Sequence, residues 1–202
     1  METPVGAARA HLHLVDEASA ALVLGHGAGG GVDSPDLVAA KDAALEAGVS
    51  VVLVEQPYRV AGRRSPAPAH QLDTAWTSVL AQLRDDVLGE LPVMCGGRSA
   101  GGRVACRTAA EVGATAVLCL AFPVHPPGRG DDPTKSRLPE LDAVTVPTLV
   151  VQGERDPFGI PPEGTNRTVV LVPGTHSLRS TAAIGAAVSE WLSGVLALGK
   201  VS

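Results

Sequence analysis

Aromatic residues are scarce in this chain, at 2% of its 202 positions. So few rings cannot form the stacking platforms that grip single strands or sugars, and the core falls to Ala, Val and Leu. Basic charge is short as well, with 16 Lys and Arg against 21 Asp and Glu and a formal net charge of -5. A phosphate backbone needs a basic face, so nucleic acid is not an expected partner. Cysteine is limited to Cys95, Cys106 and Cys119, with no C-x-x-C spacing. They read as buried thiols rather than zinc ligands or disulfide halves. No apolar run approaches a membrane span in length. The start METPVGAARAHLHLVDE lacks a basic segment followed by an apolar one, and the final GKVS carries no recognisable address. A cytoplasmic protein without a membrane partner is expected.

Apolar residues make up 45% of the chain and charged residues 18%, enough surface to bury for one compact core. At this length a single domain over residues 1–202 is expected. Short Val/Leu/Ala runs alternate with segments of helical period, the pattern of repeated β-α-β units in a parallel sheet. The runs at 21–24, 50–55, 92–96, 116–121, 148–152 and 168–172 are apolar at successive positions, as strands covered on both faces should be. Residues 11–15 alternate less clearly and read as an edge strand. Ser34-Pro35-Asp36 predicts an N-cap, a proline at the first helical position and an acid complementing the dipole, in a helix ending at Gly48. Leu72, Trp76, Val79, Leu83 and Val87 give a second helix one apolar face, a third helix follows Ser99, and Ile184, Val188, Trp191 and Val195 mark the last. Residues 122–146, rich in Pro and Gly, predict a loop with one short helix and no lid domain.

The chemistry begins at Gly97-Arg98-Ser99-Ala100-Gly101, a G-x-S-x-G between an apolar strand and a helix. That context predicts a tight turn exposing the Ser99 hydroxyl above the C-terminal sheet edge, at a helix N-terminus where negative charge is favoured. A serine hydroxyl needs a base, and the base needs a carboxylate. Asp156, in GERDPFG, and His176, in PGTHSL, follow two later strands and emerge at the same edge, in the chain order Ser, Asp, His. Glu154 is a competing acid two residues from Asp156. After the strand ALVL comes Gly25-His26-Gly27-Ala28-Gly29-Gly30-Gly31. Its free amides, Ala28 before Gly29, could form half of an oxyanion hole, with the Ala100 amide as the other half. The turn lacks G-x-x-x-x-G-K-[ST], so a nucleotide phosphate is not expected there. His26 reads as a ring bonded to neighbouring backbone and shaping this turn. Arg98, His125 and Tyr58 are candidate substrate-binding residues. Arg98 could join Arg59, Arg63 and Arg64 around an anionic acyl group, or pack internally against Glu55 or Asp131.

The segments LVLGHGAGG, EQPYRVAGRR, GGRSAGGRVA, LAFPVHPPG, VVQGERDPFG and GTHSL resemble a compact group of α/β-hydrolases related to dienelactone hydrolases. They look most like the small branch of testis-expressed and NSL-complex hydrolase-like proteins. The likeness runs from about Ala21 to Trp191. It implies the α/β-hydrolase fold, a mostly parallel sheet of seven or eight strands with helices on both faces and no cap domain. It places the nucleophile on Ser99, the acid on Asp156, the base on His176 and the oxyanion turn on His26 to Gly29. Ser stands where dienelactone hydrolases have Cys, so lactone opening is not carried over. The expected activity is attack on a small carboxylester or thioester through an acyl-enzyme, with no metal or other cofactor. Two alternatives stay open, a catalytically silent interaction protein and an acyl transferase or perhydrolase using the same triad. Oligomeric state is not legible.

Overall fold

A computed structural model describes residues 1–199; Lys200, Val201 and Ser202, most of the GKVS tail, lie outside the described residues. A short hairpin of β1 (Glu2–Thr3) and β2 (Gly6–Ala7) precedes the main sheet. That sheet holds seven strands: β3 (Arg9–His13), β4 (Ala20–Gly25), β5 (Val49–Glu55), β6 (Val93–Arg98), β7 (Val117–Leu120), β8 (Thr148–Gly153) and β9 (Arg167–Val172). Their spatial order is β3-β5-β4-β6-β7-β8-β9, all parallel except the antiparallel β3–β5 pair. The edge strand is paired two residues earlier than 11–15, because Arg9 to His13 face Glu55 to Val51.

Helices cover both faces. On one lie α1 (Pro35–Glu46) and α6 (Thr181–Gly199), burying Leu37, Ala40, Ile184, Val188 and Leu192 against the sheet. On the other lie α3 (Ala69–Leu83) and α4 (Ala100–Thr108), with Leu72, Trp76, Val79, Val104 and Ala105. Shorter pieces complete the chain, α2 (Pro57–Val60) and α5 (Leu138–Asp142). The stretch 122–146 holds only α5 and one 3₁₀ turn at Pro133–Lys135, so no lid forms over the sheet edge among the described residues.

Three readings need correction. Ser34 stands at the N-cap position, but its Oγ is buried and makes no capping bond; the acid of the first turn, Asp36, accepts the Leu37 N–H on Oδ1 instead. The α3 face ends early: a π-turn at Arg84–Leu88, closed by Gly89 N–H donating to Arg84 O, inserts one residue into the period. Val87 is therefore 37% exposed and Leu88, 3% exposed, takes the inward position. Finally, one apolar run does reach the length of a membrane span: α6 is long and apolar enough over Thr181–Leu198 to cross a membrane by length and composition. Here its Ile184, Val188 and Leu192 pack against the sheet.

Candidate active site

Strand order reverses at β4, which has β5 on one side and β6 on the other, so the C-terminal ends of β4 and β6 form the switch point at which open α/β sheets bind ligands. The glycine turn leaves β4 there and Ser99 leaves β6. Ser99 has φ 49° and ψ -106°, a conformation an L-residue adopts only under strain, of order 1–3 kcal/mol. Its N–H donates to Leu120 O at 2.8 Å, tying the turn to β7. The flanking glycines permit backbone contact: a Cβ on Gly97 or Gly101 would collide with the Gly25 carbonyl. Glycine at both sites lets the Ser99 turn sit directly on the start of the glycine turn after β4.

His176 Nε2 lies 3.0 Å from Ser99 Oγ and its Nδ1 2.9 Å from Asp156 Oδ2. An ionised carboxylate only accepts, so Nδ1 carries the proton and Nε2 is free to accept from the hydroxyl. The Asp156 side chain is fully shielded from solvent while that of His176 keeps 18% exposure, enough to meet a substrate. Asp156 is held on both oxygens. Phe158 N–H donates to Oδ1 at 2.9 Å, and the Gln152 amide donates to Oδ2 at 2.8 Å. Gln152 also lies within donating distance of Phe122 O and Gly159 O, which binds three loops together. The Phe158 ring meets the imidazole edge-on, 4.4 Å between centroids.

At the glycine turn, Gln56 N–H donates to His26 Nε2 at 3.1 Å, so Nδ1 is the protonated nitrogen and donates to Gly27 O at 2.8 Å. The Gly27 carbonyl shares its peptide plane with the Ala28 N–H, so the imidazole fixes where that amide points. Neither Ala28 N–H nor Ala100 N–H has an acceptor among the described residues. Burial lowers the His26 pKa and favours the neutral ring.

The candidate substrate residues fare differently. Tyr58 is 2% exposed and its hydroxyl donates to Ala28 O at 2.9 Å, so it props the glycine turn from behind and presents no exposed surface to a substrate. Arg98 does pack internally, but not against Glu55, which is taken by Arg9 and His11, nor Asp131. It pairs with Asp36. His125 sits against Gly130 and Gly159, with Nδ1 3.0 Å from Pro126 O. Arg63 and Arg64 are exposed. Asp36, Gln152 and Phe158 are the functional neighbours that sequence reasoning missed. Only Gln152 left a signal, an amide ending an otherwise apolar strand.

Cavity size does not mark this site. An apolar cavity of about 370 Å³ opens at the opposite sheet edge, lined by Ala20, Pro92, Met94, Pro147 and Val195 among others, without a titratable group. Cys95, Cys106 and Cys119 are free and buried, and burial pushes the Cys95 thiol up to about 12, which removes thiolate chemistry.

No curated protein matches the chain in sequence. Among solved structures, it is similar to a lidless α/β serine hydrolase from Xanthomonas campestris, with 19% identity over 96% of this chain and 92% of that one and a TM-score of 0.75. It is also similar to Est1E from Butyrivibrio proteoclasticus, solved with ferulic acid bound, at 18% identity over 94% and 96% and a TM-score of 0.74. A dienelactone hydrolase from Anabaena variabilis matches at 22% identity over 96% and 95%, with a TM-score of 0.73. Residues 18–197 match the family described as the alpha/beta hydrolase domain, and the chain belongs to that family.

Proposed function

We propose that the protein is a serine hydrolase of carboxylesterase type, acting on a small ester or thioester through Ser99, His176 and Asp156. The observation carrying this reading is the unbroken relay from Asp156 Oδ2 through His176 to Ser99 Oγ, at 2.9 and 3.0 Å. Ser99 Oγ attacks the acyl carbon as His176 Nε2 takes its proton, and Asp156 holds the imidazole and stabilises the imidazolium. The Ala28 and Ala100 amides receive the oxyanion. When the tetrahedral adduct collapses, the bond to the leaving group breaks and His176 returns the proton to it. Water, deprotonated by His176, then releases the acid and restores Ser99. No step requires a cofactor.

The open sheet edge suits small or exposed esters. Within the family we place the chain nearest the testis-expressed and NSL-complex hydrolase-like branch, on LVLGHGAGG, GGRSAGGRVA and VVQGERDPFG. We propose one domain over residues 1–202, and the reducing cytoplasm as its compartment, which suits three buried free thiols.

A fluorophosphonate probe, with the labelled residue mapped by mass spectrometry, tests the reading. Labelling is expected on Ser99, absent in Ser99→Ala and strongly slowed in His176→Ala, with esterase kcat falling about 10⁶-fold in either variant. A folded wild type that takes no label would overturn it.

A further inference from the structure

We propose that Arg98 and Asp36 form a positioning pair that sets the height of the base His176 over Ser99; this rests on the serine-hydrolase reading of the site. Arg98 is the last residue of β6, next to the nucleophile, and Asp36 is the second residue of α1. The Arg98 Nε donates to Asp36 Oδ2 at 2.8 Å, and Nη2 donates to the main-chain carbonyl of His176 at 3.1 Å. Nη1 lies over Gly27, where an added Cβ would come within 2.7 Å of it. One guanidinium therefore touches the three pieces the chemistry needs: the strand of the nucleophile, the oxyanion turn and the loop of the base.

The histidine loop needs such a support. Between β9 and α6 it is tied by Arg155 N–H to Gly174 O and Ser180 Oγ to Pro173 O, both away from His176 itself. Arg98 holds the histidine's own carbonyl. A planar guanidinium presents its donors at fixed angles, so the Asp36 carboxylate, by holding Nε, dictates where Nη2 points. Asp36 is in turn fixed by Leu37 N–H donating to Oδ1, and its side chain is 2% exposed. The chain of contacts runs from the α1 N-terminus through a buried ion pair to the backbone of the base. Arg98 and Asp36 touch no reacting atom, so they act through His176.

The pair allows a clean test, because replacing a buried ion pair with apolar residues of similar volume is often tolerated by the fold. The full chain is compared as wild type, as Arg98→Met combined with Asp36→Leu, and as Arg98→Lys, which keeps the charge but not the fork. Readouts are the fluorophosphonate labelling rate at Ser99, kcat and KM on p-nitrophenyl acetate, and a thermal melt. In the folded double variant, kcat and the labelling rate are expected to drop together by about 10²-fold with KM within about twofold, as a base displaced by about 1 Å demands. Arg98→Lys is expected to lose about tenfold. Wild-type kcat per titrated site in the double variant would overturn the proposal, and if that variant fails to fold, wild-type kcat in Arg98→Lys would do the same. A loss confined to KM also overturns it, since that marks a substrate contact. A wild type that takes no label overturns the site reading and this proposal with it.

Discussion

Asp156, the acid of the proposed triad, is held by a residue outside it. Gln152, fully buried at the end of β8, spreads one amide nitrogen over Asp156 Oδ2 and the carbonyls of Phe122 and Gly159. Replacing it with leucine keeps the volume but removes two N–H donors shared among the carbonyls of Phe122 and Gly159 and Asp156 Oδ2, which keeps His176 Nδ1–H, a loss of order 1–3 kcal/mol per bond before relaxation. Gln152→Leu is expected to lower kcat about tenfold and shift the urea midpoint down. Gln152→Glu is the sharper change, since it puts a second carboxyl beside Asp156, and two such groups cannot both ionise at this range. Its kcat/KM is expected to fall further than that of Gln152→Leu on the same ester. Equal, wild-type rates in both variants would show that Phe158 N–H and His176 Nδ1–H suffice to hold the carboxylate. Ser99, Asp156 and His176 were legible because each follows a strand in a known order. Gln152 and Asp36 were not, since their partners lie on other elements and only the fold brings them within 3 Å.

At the scale of elements, the sequence period and the folded period part company at one place. The spacing Leu72, Trp76, Val79, Leu83 continues to Val87 on paper, yet the π-turn at Arg84–Leu88 advances the register by one residue and buries Leu88. Periodicity assumes a uniform 3.6-residue turn, so a wider turn cannot be read from it. The consequence is measurable. Leu88→Ala should cost about 2–5 kcal/mol by urea unfolding, as for a core leucine, while Val87→Ala should stay within about 0.5–1 kcal/mol. The reverse ranking would mean that α3 runs on without the wider turn. Of the strands read as covered on both faces, β4 to β8 hold that place, while β9 is the other edge of the sheet, pairs only with β8 and leaves Leu171 48% exposed. A strand buried on both faces is apolar at nearly every position, with Ser50, Thr148 and Gln152 as buried polar exceptions, and that pattern tolerates little ambiguity. The edge strand β3 has one covered neighbour and exposed residues such as Leu12, so its bounds slipped.

Across the whole molecule, stability and the proposed oxyanion turn share a group that titrates. His26 is buried between β4 and the oxyanion turn, accepts from Gln56 N–H and donates to Gly27 O, with Tyr58 against its edge and Arg59 and Glu55 nearby. Burial, the largest cause, lowers its pKa from the ordinary imidazole value of 6.5, helped by the Arg59 charge and opposed by Gly27 and Glu55. Protonation would remove the lone pair that Gln56 N–H needs. The unfolded chain therefore takes up this proton at a higher pH than the native one. Its contribution is fully present above 6.5 and is lost as pH falls from there toward the lowered native value. His13, lowered by burial and Lys41, acts in the same direction but lies on the edge strand β3, away from the turn. Substituting His26→Asn keeps a donor for Gly27 O and removes the titration, leaving His13 in place. Thermal melts between pH 7.5 and about pH 5 should show a smaller acid-side fall of Tm in His26→Asn than in the wild type. Parallel curves would mean that the ring keeps its neutral form at no cost to the fold, and that the acid-side loss comes from elsewhere.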